Sequence, residues 1–388
     1  MRREDQIAEA KKLLTHIDNR TTALADGVYR NPVSDYTSPE QAALERELLF
    51  RDTPINVGLS ALLPKPGDWM THDYSGVPTL LVRRADGTLG ALLNVCRHRG
   101  ARVANGCGES LKDFVCPYHG WVYGLDGALI ARPEEAAFGA AERATHGLRP
   151  LPVVEKYGMI WVGPQPDMRI DVDAMLGGVA RDLAAYSLDT YHHYETRVLR
   201  RQMNWKLAVD TFGETYHLMH LHPETVSPLF YTNRATFDAF GRNHRMIGAR
   251  RTIDDLRSQP EDAWDLFDHT VVIYVLFPAT VFLFQRDHVE TWHFFPGATP
   301  DDCAMYASLY TPEPATSDSA KRHWDNNFEL LMATVEMEDF PTCEGMQKGF
   351  YSGAQDAIVF GRNEPALQHY HKSIAAALDE AGRKMAAE

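Results

Sequence analysis

Two short segments of this sequence each place a cysteine close to a histidine. The first reads Cys96-Arg97-His98, and the second begins 17 residues later and reads Cys116-Pro117-Tyr118-His119-Gly120-Trp121. Thiolates and imidazoles are both metal ligands, but they suit different metals. Two mixed pairs at this separation can therefore hold two metal ions that differ in ligand type.

The residues around both pairs are typical of tight loops. Pro117 restricts the second loop, and glycines that can supply turn conformations lie in or beside both loops: Gly100, Gly106, Gly108 and Gly120. A single zinc ion with two cysteine and two histidine ligands is the alternative. Zinc modules usually pair Cys-x-x-Cys with His-x₃₋₅-His, whereas each pair here is mixed. The pattern favours a [2Fe–2S] cluster in which histidines replace the cysteines on one iron.

The loop sequences Cys-Arg-His-Arg-Gly and Cys-Pro-Tyr-His-Gly-Trp closely resemble the two cluster loops of the Rieske non-haem iron oxygenases, large subunit. This family includes ring-hydroxylating and demethylating enzymes. The resemblance implies that Cys96, His98, Cys116 and His119 bind a Rieske [2Fe–2S] cluster. Imidazole ligands raise the reduction potential of such a cluster well above that of an all-thiolate cluster.

A second group of histidines lies in the segment 205–223, which is predicted to be a helix that ends at Pro223. The family's mononuclear iron motif is an acidic residue, two residues, His, four residues, His. Glu214, His217 and His222 fit this motif. A five-residue step turns the second side chain off the line of a regular helix, so the helix is expected to be distorted or to end between the histidines. His217 with His220 is the lesser alternative.

The third iron ligand is expected from a distant segment. Residues 324–335 have helical spacing of apolar residues and lead into the acidic run Glu336-Met337-Glu338-Asp339, predicted to lie at the C-terminal end of that helix. Asp339 resembles the family's acidic position ahead of a Glu-x-x-Gln stretch, and Glu338 is its nearest competitor. Two imidazoles and one carboxylate would form the facial triad that binds Fe(II) and leaves positions open for O₂ and substrate.

Glu214 has a separate role by resemblance. In the family, an acidic residue at this position bridges a cluster-bound histidine of one subunit to an iron-bound histidine of the next. A carboxylate that accepts both imidazole N–H groups fixes their orientation. The resemblance therefore implies a head-to-tail trimer, either a homotrimer or an α3β3 assembly.

The element pattern predicts an α+β fold with three parts. Residues 1–44 are predicted to be a helical cap of the catalytic domain, 45–165 a small all-β Rieske domain, and 166–388 the mononuclear iron domain, with a curved antiparallel sheet and helices in a helix-grip-like arrangement. Asp86-Gly87 and Asp126-Gly127 predict hairpin turns in the Rieske part. Four further strand-like runs predict the catalytic sheet: 270–277, 280–286, 288–295 and 304–310.

Composition excludes some classes of function. The formal net charge of −14 argues against a nucleic-acid partner. No apolar run approaches membrane-spanning length and no signal peptide is visible, so we expect a cytoplasmic protein without a membrane partner. Three cysteines outside the loops are expected to be free thiols: Cys107, Cys303 and Cys343.

The resemblance implies a terminal oxygenase that uses electrons relayed through the cluster to activate O₂ at Fe(II). No nucleotide-binding fingerprint is visible, so a separate reductase is required, with or without a ferredoxin. The aromatic residues nearest the iron motif are candidate pocket walls: Phe212, Tyr216 and Phe230. A small aromatic substrate is the first hypothesis. O- or N-demethylation of a methoxyarene or of a quaternary amine such as carnitine or betaine is the alternative, because aromatic walls also bind cations. A pure electron carrier is the remaining hypothesis.

Overall fold

The computed structural model describes residues 1–138 and 143–385. The chain forms two compact units. One is Arg46–Val172, and the other combines Met1–Glu45 with Asp173–Glu388. Helices and antiparallel sheets are both present, so the predicted α+β class is confirmed. Among the described helices, none is long and apolar enough to cross a bilayer.

The N-terminal segment belongs to the larger unit. Its elements are α1 (Arg3–Asp18), β1 (Tyr29–Pro32), α2 (Ser34–Thr37) and α3 (Pro39–Glu45). A π-helical turn, Arg46–Arg51, follows α3 directly.

The smaller unit, Arg46–Val172, consists of short antiparallel strands in three sheets, with orders β10-β5-β4-β3-β6, β11-β12-β2 and β7-β8-β9. The predicted hairpins are confirmed, because β4 pairs with β5 across Asp86-Gly87 and β8 pairs with β9 across Asp126-Gly127. Both turn glycines have a positive φ, which favours glycine. The strands are β2 (Ile55–Leu59), β3 (Trp69–His72), β4 (Thr79–Arg83), β5 (Leu89–Leu93), β6 (Cys107–Gly108), β7 (Asp113–Val115), β8 (Val122–Gly124), β9 (Leu129–Ala131), β10 (Pro150–Leu151), β11 (Val153–Lys156) and β12 (Met159–Val162).

A seven-stranded antiparallel sheet forms the centre of the larger unit, in the order β13-β19-β18-β17-β16-β15-β14. Its strands are β13 (His192–Arg201), β14 (Phe230–Phe240), β15 (Asn243–Arg250), β16 (Thr270–Leu276), β17 (Thr280–Phe284), β18 (Val289–Pro296) and β19 (Cys303–Thr311). A separate strand, β20 (Ala357–Phe360), pairs with β1. The helices are α4 (Val172–Leu176), α5 (Val179–Leu183), α6 (Trp205–Asp210), α7 (Leu218–Leu221), α8 (Asp318–Thr334), α9 (Phe340–Phe350) and α10 (Pro365–Met385).

The sequence pattern did not predict β14 and β15. Strand β15 is buried along most of its length, yet it carries the polar residues Asn243, His244 and Arg245. Arg245 is tolerated there because it forms ion pairs with the carboxylates of Asp182 and Asp238. The acidic partners of Arg245 include Asp182, which is distant in sequence, so the local sequence does not predict these ion pairs.

The helix predicted over 205–223 is wrong as a continuous element. It divides into α6 and α7, and the chain turns between them. The Glu214 carboxylate accepts hydrogen bonds from the backbone N–H groups of Tyr216 and His217, in place of helical carbonyls. A Cβ atom on Gly213 would lie 2.3 Å from Cδ2 of Leu367, so a larger residue would require the Leu367 side chain to shift.

The helix predicted to end at the acidic run instead continues. Helix α8 passes through a π-helical turn, Val335–Asp339, directly into α9. Pro341 lies in the first turn of α9, where a missing N–H is least costly. The π-helical turn widens the backbone just ahead of that proline, and such turns are frequent at functional sites. Asp339 is the last residue of the turn.

Candidate metal centres

The structure brings the four loop ligands together as two like pairs. Cys96 and Cys116 are both buried, and their thiols are in hydrogen-bonding contact. The Nδ1 atoms of His98 and His119 lie 3.1 Å apart. A thiolate pair beside an imidazole pair is the donor set of a two-iron cluster with one thiolate-bound and one imidazole-bound iron. The residues present therefore fit a Rieske cluster.

The two loops have the same backbone hydrogen bonds. The carbonyl of Cys96 accepts from the N–H of Gly100, and the carbonyl of Cys116 accepts from the N–H of Gly120. Gly100 and Gly120 have φ of +79° and +68°, a conformation that favours glycine. Gly108 does not supply a turn as predicted. Its φ is negative, and a Cβ atom there would lie 2.7 Å from Nε1 of Trp69, so close packing explains it.

Aromatic rings surround the imidazole pair. The ring of His98 stacks on Trp121 at 4.9 Å and meets the edge of Phe138 at 5.6 Å. On the outer side, Tyr118 is 57% exposed and its ring centroid lies 3.8 Å from that of His119. The thiols are thus buried while the imidazoles lie near the surface.

A tyrosine that the sequence analysis did not single out supports the buried thiols. The hydroxyl oxygen of Tyr123 accepts from the N–H of Arg97, which leaves its own hydrogen free for Cys96 Sγ at 3.2 Å. Burial and the Cys96 thiol raise the pKa of Tyr123, so its hydroxyl stays protonated and able to donate.

Replacing Tyr123 with phenylalanine should lower the reduction potential of the cluster. A hydrogen bond to a cluster sulfur stabilises the more negative, reduced state. A bond of about 0.5–1.5 kcal/mol corresponds to about 20–60 mV for one electron. A redox titration followed by circular dichroism measures the shift. Tyr118→Phe is the matched control, because its ring is exposed, and it should leave the potential unchanged. An equal potential in Tyr123→Phe and the native protein would contradict this role.

The second centre joins residues from two distant segments. One donor atom from each of His217, His222 and Asp339 lies within 4.8 Å of the others. The Nε2 atoms of His222 and His217 lie 3.1 and 3.6 Å from the same oxygen of Asp339. Two imidazole nitrogens and a carboxylate oxygen that converge in this way fit a divalent iron ion. His220 is exposed and does not join the group.

Each histidine is held from behind by a carboxylate. The Nδ1 atom of His222 lies 2.7 Å from Glu338, and Nδ1 of His217 is hydrogen bonded to Glu214. Carboxylates in this position fix the imidazole so that Nε2 presents its lone pair to a metal. Glu338, considered as an alternative third ligand, therefore lies on the far side of His222 from the donor cluster.

Electrostatics at this centre favour a bound cation. Burial lowers the pKa of His222, but hydrogen bonds and charge from Asp339 and Glu338 outweigh it, so the pKa lies above its ordinary value. The two carboxylates that contact His222 thus favour a positive charge at this site. A divalent metal would replace that proton, since metal ligation requires the neutral imidazole.

The three residues predicted to line the pocket differ in their exposure to solvent. Phe212 is buried against Trp292 and Phe294 of β18. This side of the sheet faces the iron-ligand segments, which are the two stretches of chain that carry His217, His222 and Asp339. Phe230 is buried at the start of β14. Tyr216 is 54% exposed, and its place in a pocket wall stays a prediction.

The fold and donor sets define a class of protein: a chain that combines a Rieske-type cluster unit with a mononuclear iron unit. Comparison with protein families supports this. Residues 53–155 match the Rieske [2Fe-2S] domain, and residues 188–380 match the ring hydroxylating alpha subunit (catalytic domain). The chain belongs to the family of Rieske oxygenase alpha subunits. The cofactors of this family are a Rieske [2Fe-2S] cluster and a mononuclear iron.

Two relatives and one solved structure are named after quaternary ammonium compounds, whereas another solved structure with this fold is a naphthalene 1,2-dioxygenase. The chain is 32% identical to the glycine betaine monooxygenase oxygenase subunit of Chromohalobacter salexigens over 52% of this chain and 45% of that one, so this match spans about half the relative's length. It is 26% identical to choline monooxygenase, chloroplastic, of Spinacia oleracea, over 88% of this chain and 76% of that one. A quaternary ammonium Rieske monooxygenase in complex with L-carnitine has the same fold, with a TM-score of 0.78, 21% identity and coverage of 91% and 96%.

Proposed function

We propose that this chain is the terminal oxygenase component of a Rieske system and that it monooxygenates a small substrate with a quaternary ammonium group. The convergence of His217, His222 and Asp339 in one donor cluster carries the oxygenase part of the proposal. A protein that only carries electrons needs the iron–sulfur cluster but not this second group of metal ligands. The relatives carry the substrate part, because glycine betaine and choline are quaternary ammonium compounds. They favour this alternative over the aromatic substrate considered first.

In the smaller unit, Cys96 and Cys116 would hold one iron of the cluster, and His98 and His119 the other. The buried thiols keep water from the sulfur side, while the half-exposed imidazoles lie where electrons can enter and leave. Tyr123 donates its hydroxyl hydrogen to Cys96 and so favours the reduced state of the cluster.

In the larger unit, His217, His222 and Asp339 would hold the mononuclear iron, which when bound supplies the site of O₂ activation. Glu338 and Glu214 accept the N–H groups of the two histidines and fix the nitrogens that face the metal. Phe212 and the β18 aromatics close one side of the centre with apolar surface. One oxygen atom of O₂ enters the substrate, and the other leaves as water after two external electrons and two protons.

Glu214 is proposed to connect subunits. Its carboxylate holds His217, and the same residue lines a small pocket together with Thr215, Asn233 and Asn363. In a head-to-tail trimer, a cluster histidine of the neighbouring subunit would donate to the same carboxylate. The assembly, whether a homotrimer or α3β3, and the separate reductase, with or without a ferredoxin, are parts of this proposal.

The substrate proposal is tested by supplying the purified holoprotein with NADH and a surrogate reductase and following O₂ uptake. Glycine betaine, L-carnitine and choline are compared with naphthalene, and products are identified by mass. We expect product from at least one quaternary ammonium compound and none from naphthalene. Oxidation of naphthalene alone would contradict the substrate class. Electron uptake without any oxygenated product would contradict the oxygenase function.

A further inference from the structure

One face of the large sheet is directed at the iron-ligand segments. A Cβ atom on Gly248 of β15 would lie 3.3 Å from Cγ2 of Thr215, two residues before His217. On β18, Trp292 contacts two rings from the segments that carry the candidate iron ligands. Phe212 lies five residues before His217, and Phe340 directly follows Asp339. Side chains alternate along a strand, so residues two positions from Gly248 and Trp292 share this face.

Arg250 and Glu290 are those residues, and both lie at the same end of the face. Arg250 is directly opposite Phe230 in the β14–β15 pair, and its guanidinium lies 4.8 Å from the centroid of the Phe230 ring. Two neutral groups hold it in place. Its Nε donates to the carbonyl of Thr270 at 3.2 Å, and its Nη2 donates to Oε1 of Gln285 at 2.5 Å.

The Arg250 guanidinium lacks a direct counter-ion. In the part of the chain that the structure describes, no carboxylate oxygen lies within 4.0 Å of it. Burial lowers its pKa, while Glu290 and Asp287 act on it only from a distance. Leaving a partly buried cation without a paired anion costs free energy, and an anionic ligand beside Arg250 would lower that cost.

The two nearby acids are already paired. His288 contacts Asp287 through Nδ1 at 2.8 Å and Glu290 through Nε2 at 2.9 Å. Burial lowers the pKa of His288, but these two hydrogen bonds outweigh it and raise the pKa to about 9. His288 is therefore cationic at neutral pH and balances charge that would otherwise be available to Arg250. The second oxygen of Glu290 is buried without a hydrogen-bond partner among the described residues.

We propose that Arg250 binds a carboxylate group of the substrate, so that this chain acts on quaternary ammonium carboxylates and not on quaternary ammonium alcohols. This inference rests on the proposed function and refines its substrate class. A guanidinium presents two parallel N–H donors to a carboxylate, and the Phe230 ring beneath it restricts its orientation. Glycine betaine and carnitine carry a carboxylate, whereas choline carries a hydroxyl in its place.

Equilibrium binding to the holoprotein tests the inference independently of turnover. Isothermal titration calorimetry compares glycine betaine, L-carnitine and choline on the native protein, Arg250→Gln and Arg250→Lys. Arg251→Gln is the matched control, because it removes the same charge from the next, exposed residue. Arg250→Gln should weaken binding of both carboxylates about 10- to 100-fold, as expected for a lost charged hydrogen bond, and change choline binding less than about threefold. Arg251→Gln should change neither.

Arg250→Lys keeps the charge and loses the paired donors, so it should weaken carboxylate binding by a smaller factor. This variant decides alone if Arg250→Gln does not fold. Equal losses for choline and the carboxylates, unchanged carboxylate binding, or no carboxylate binding by the native protein would overturn the inference. If carboxylates bind through Arg250 but no oxygenated product forms, the proposed function fails while the binding role of Arg250 stands. Turnover of choline alone would overturn the role of Arg250 and leave the proposed oxygenase function standing.

Discussion

Replacing His222 with alanine is expected to lower O₂-dependent product formation by more than about 100-fold while the visible spectrum of the cluster persists. Loss of a group that only supports a metal ligand already costs about 10- to 100-fold, and His222 is placed to be a ligand itself. It is 1% exposed, and its two nitrogens contact Asp339 and Glu338. The measurement combines a turnover assay, with the reductase in excess, and the iron content per chain.

His220 provides the matched control for this change. It lies two residues away and is exposed, outside the donor cluster. His220→Ala should keep native turnover and iron content. Loss of activity in His220→Ala together with normal activity in His222→Ala would reverse the ligand assignment and restore the His217 and His220 alternative.

Replacing Lys206 with methionine is expected to destabilise the larger unit by about 3–5 kcal/mol, the usual cost of leaving a buried charge unpaired. Lys206 is 1% exposed, and its Nζ atom lies 2.7 Å from both carboxylate oxygens of Glu45, which is fully buried. Trp205 also donates to Glu45 from its indole Nε1 at 2.9 Å. These contacts fasten α6, which precedes the iron-ligand segment, to α3. Differential scanning calorimetry should show a fall in Tm of about 10 °C.

The double variant Glu45→Gln with Lys206→Met separates charge from packing. It removes both charges and keeps an acceptor for Trp205, so no unpaired ion remains in the interior. More than half of the lost stability should return relative to Lys206→Met alone. A double variant less stable than Lys206→Met would show that packing, and not the unpaired carboxylate, causes the loss.

The cluster loops could be predicted in detail because their chemistry is local. Each loop places a Cys and a His two or three residues apart, and its glycine provides the conformation that closes the turn. The hairpin turns at Asp86-Gly87 and Asp126-Gly127 were predictable for the same reason. Where the contacts that fix a loop or turn lie within a few residues, the local sequence is enough to predict it.

Features that depend on distant contacts could not be predicted. The break between α6 and α7 lies where Leu367 of α10 closely approaches Gly213. The continuation of α8 into α9 through a π-helical turn contradicts the local expectation that Pro341 ends a helix. The position of Glu338 behind His222 joins residues more than 100 positions apart. The resemblance favours Asp339 over Glu338 as the third ligand, but the contact of Glu338 with the other nitrogen of His222 is seen only in the fold.

Arg250 shows the same limit for the proposed substrate site. In the sequence it is one of two adjacent arginines, and nothing local distinguishes it from Arg251. The strand register places it opposite Phe230, on the face directed at the iron-ligand segments, while Arg251 is exposed. The aromatic residues near the iron motif were predictable as a group. Their division into buried Phe212 and Phe230 and exposed Tyr216 depends on tertiary packing and not on local sequence.

The central claim is that one chain holds two unlike iron centres. Analysis of iron, zinc and acid-labile sulfide in anaerobically purified protein tests it most directly. The account predicts about three iron atoms and about two sulfides per chain, one [2Fe–2S] cluster and one single ion, with little zinc. About two zinc atoms per chain and no acid-labile sulfide would contradict it.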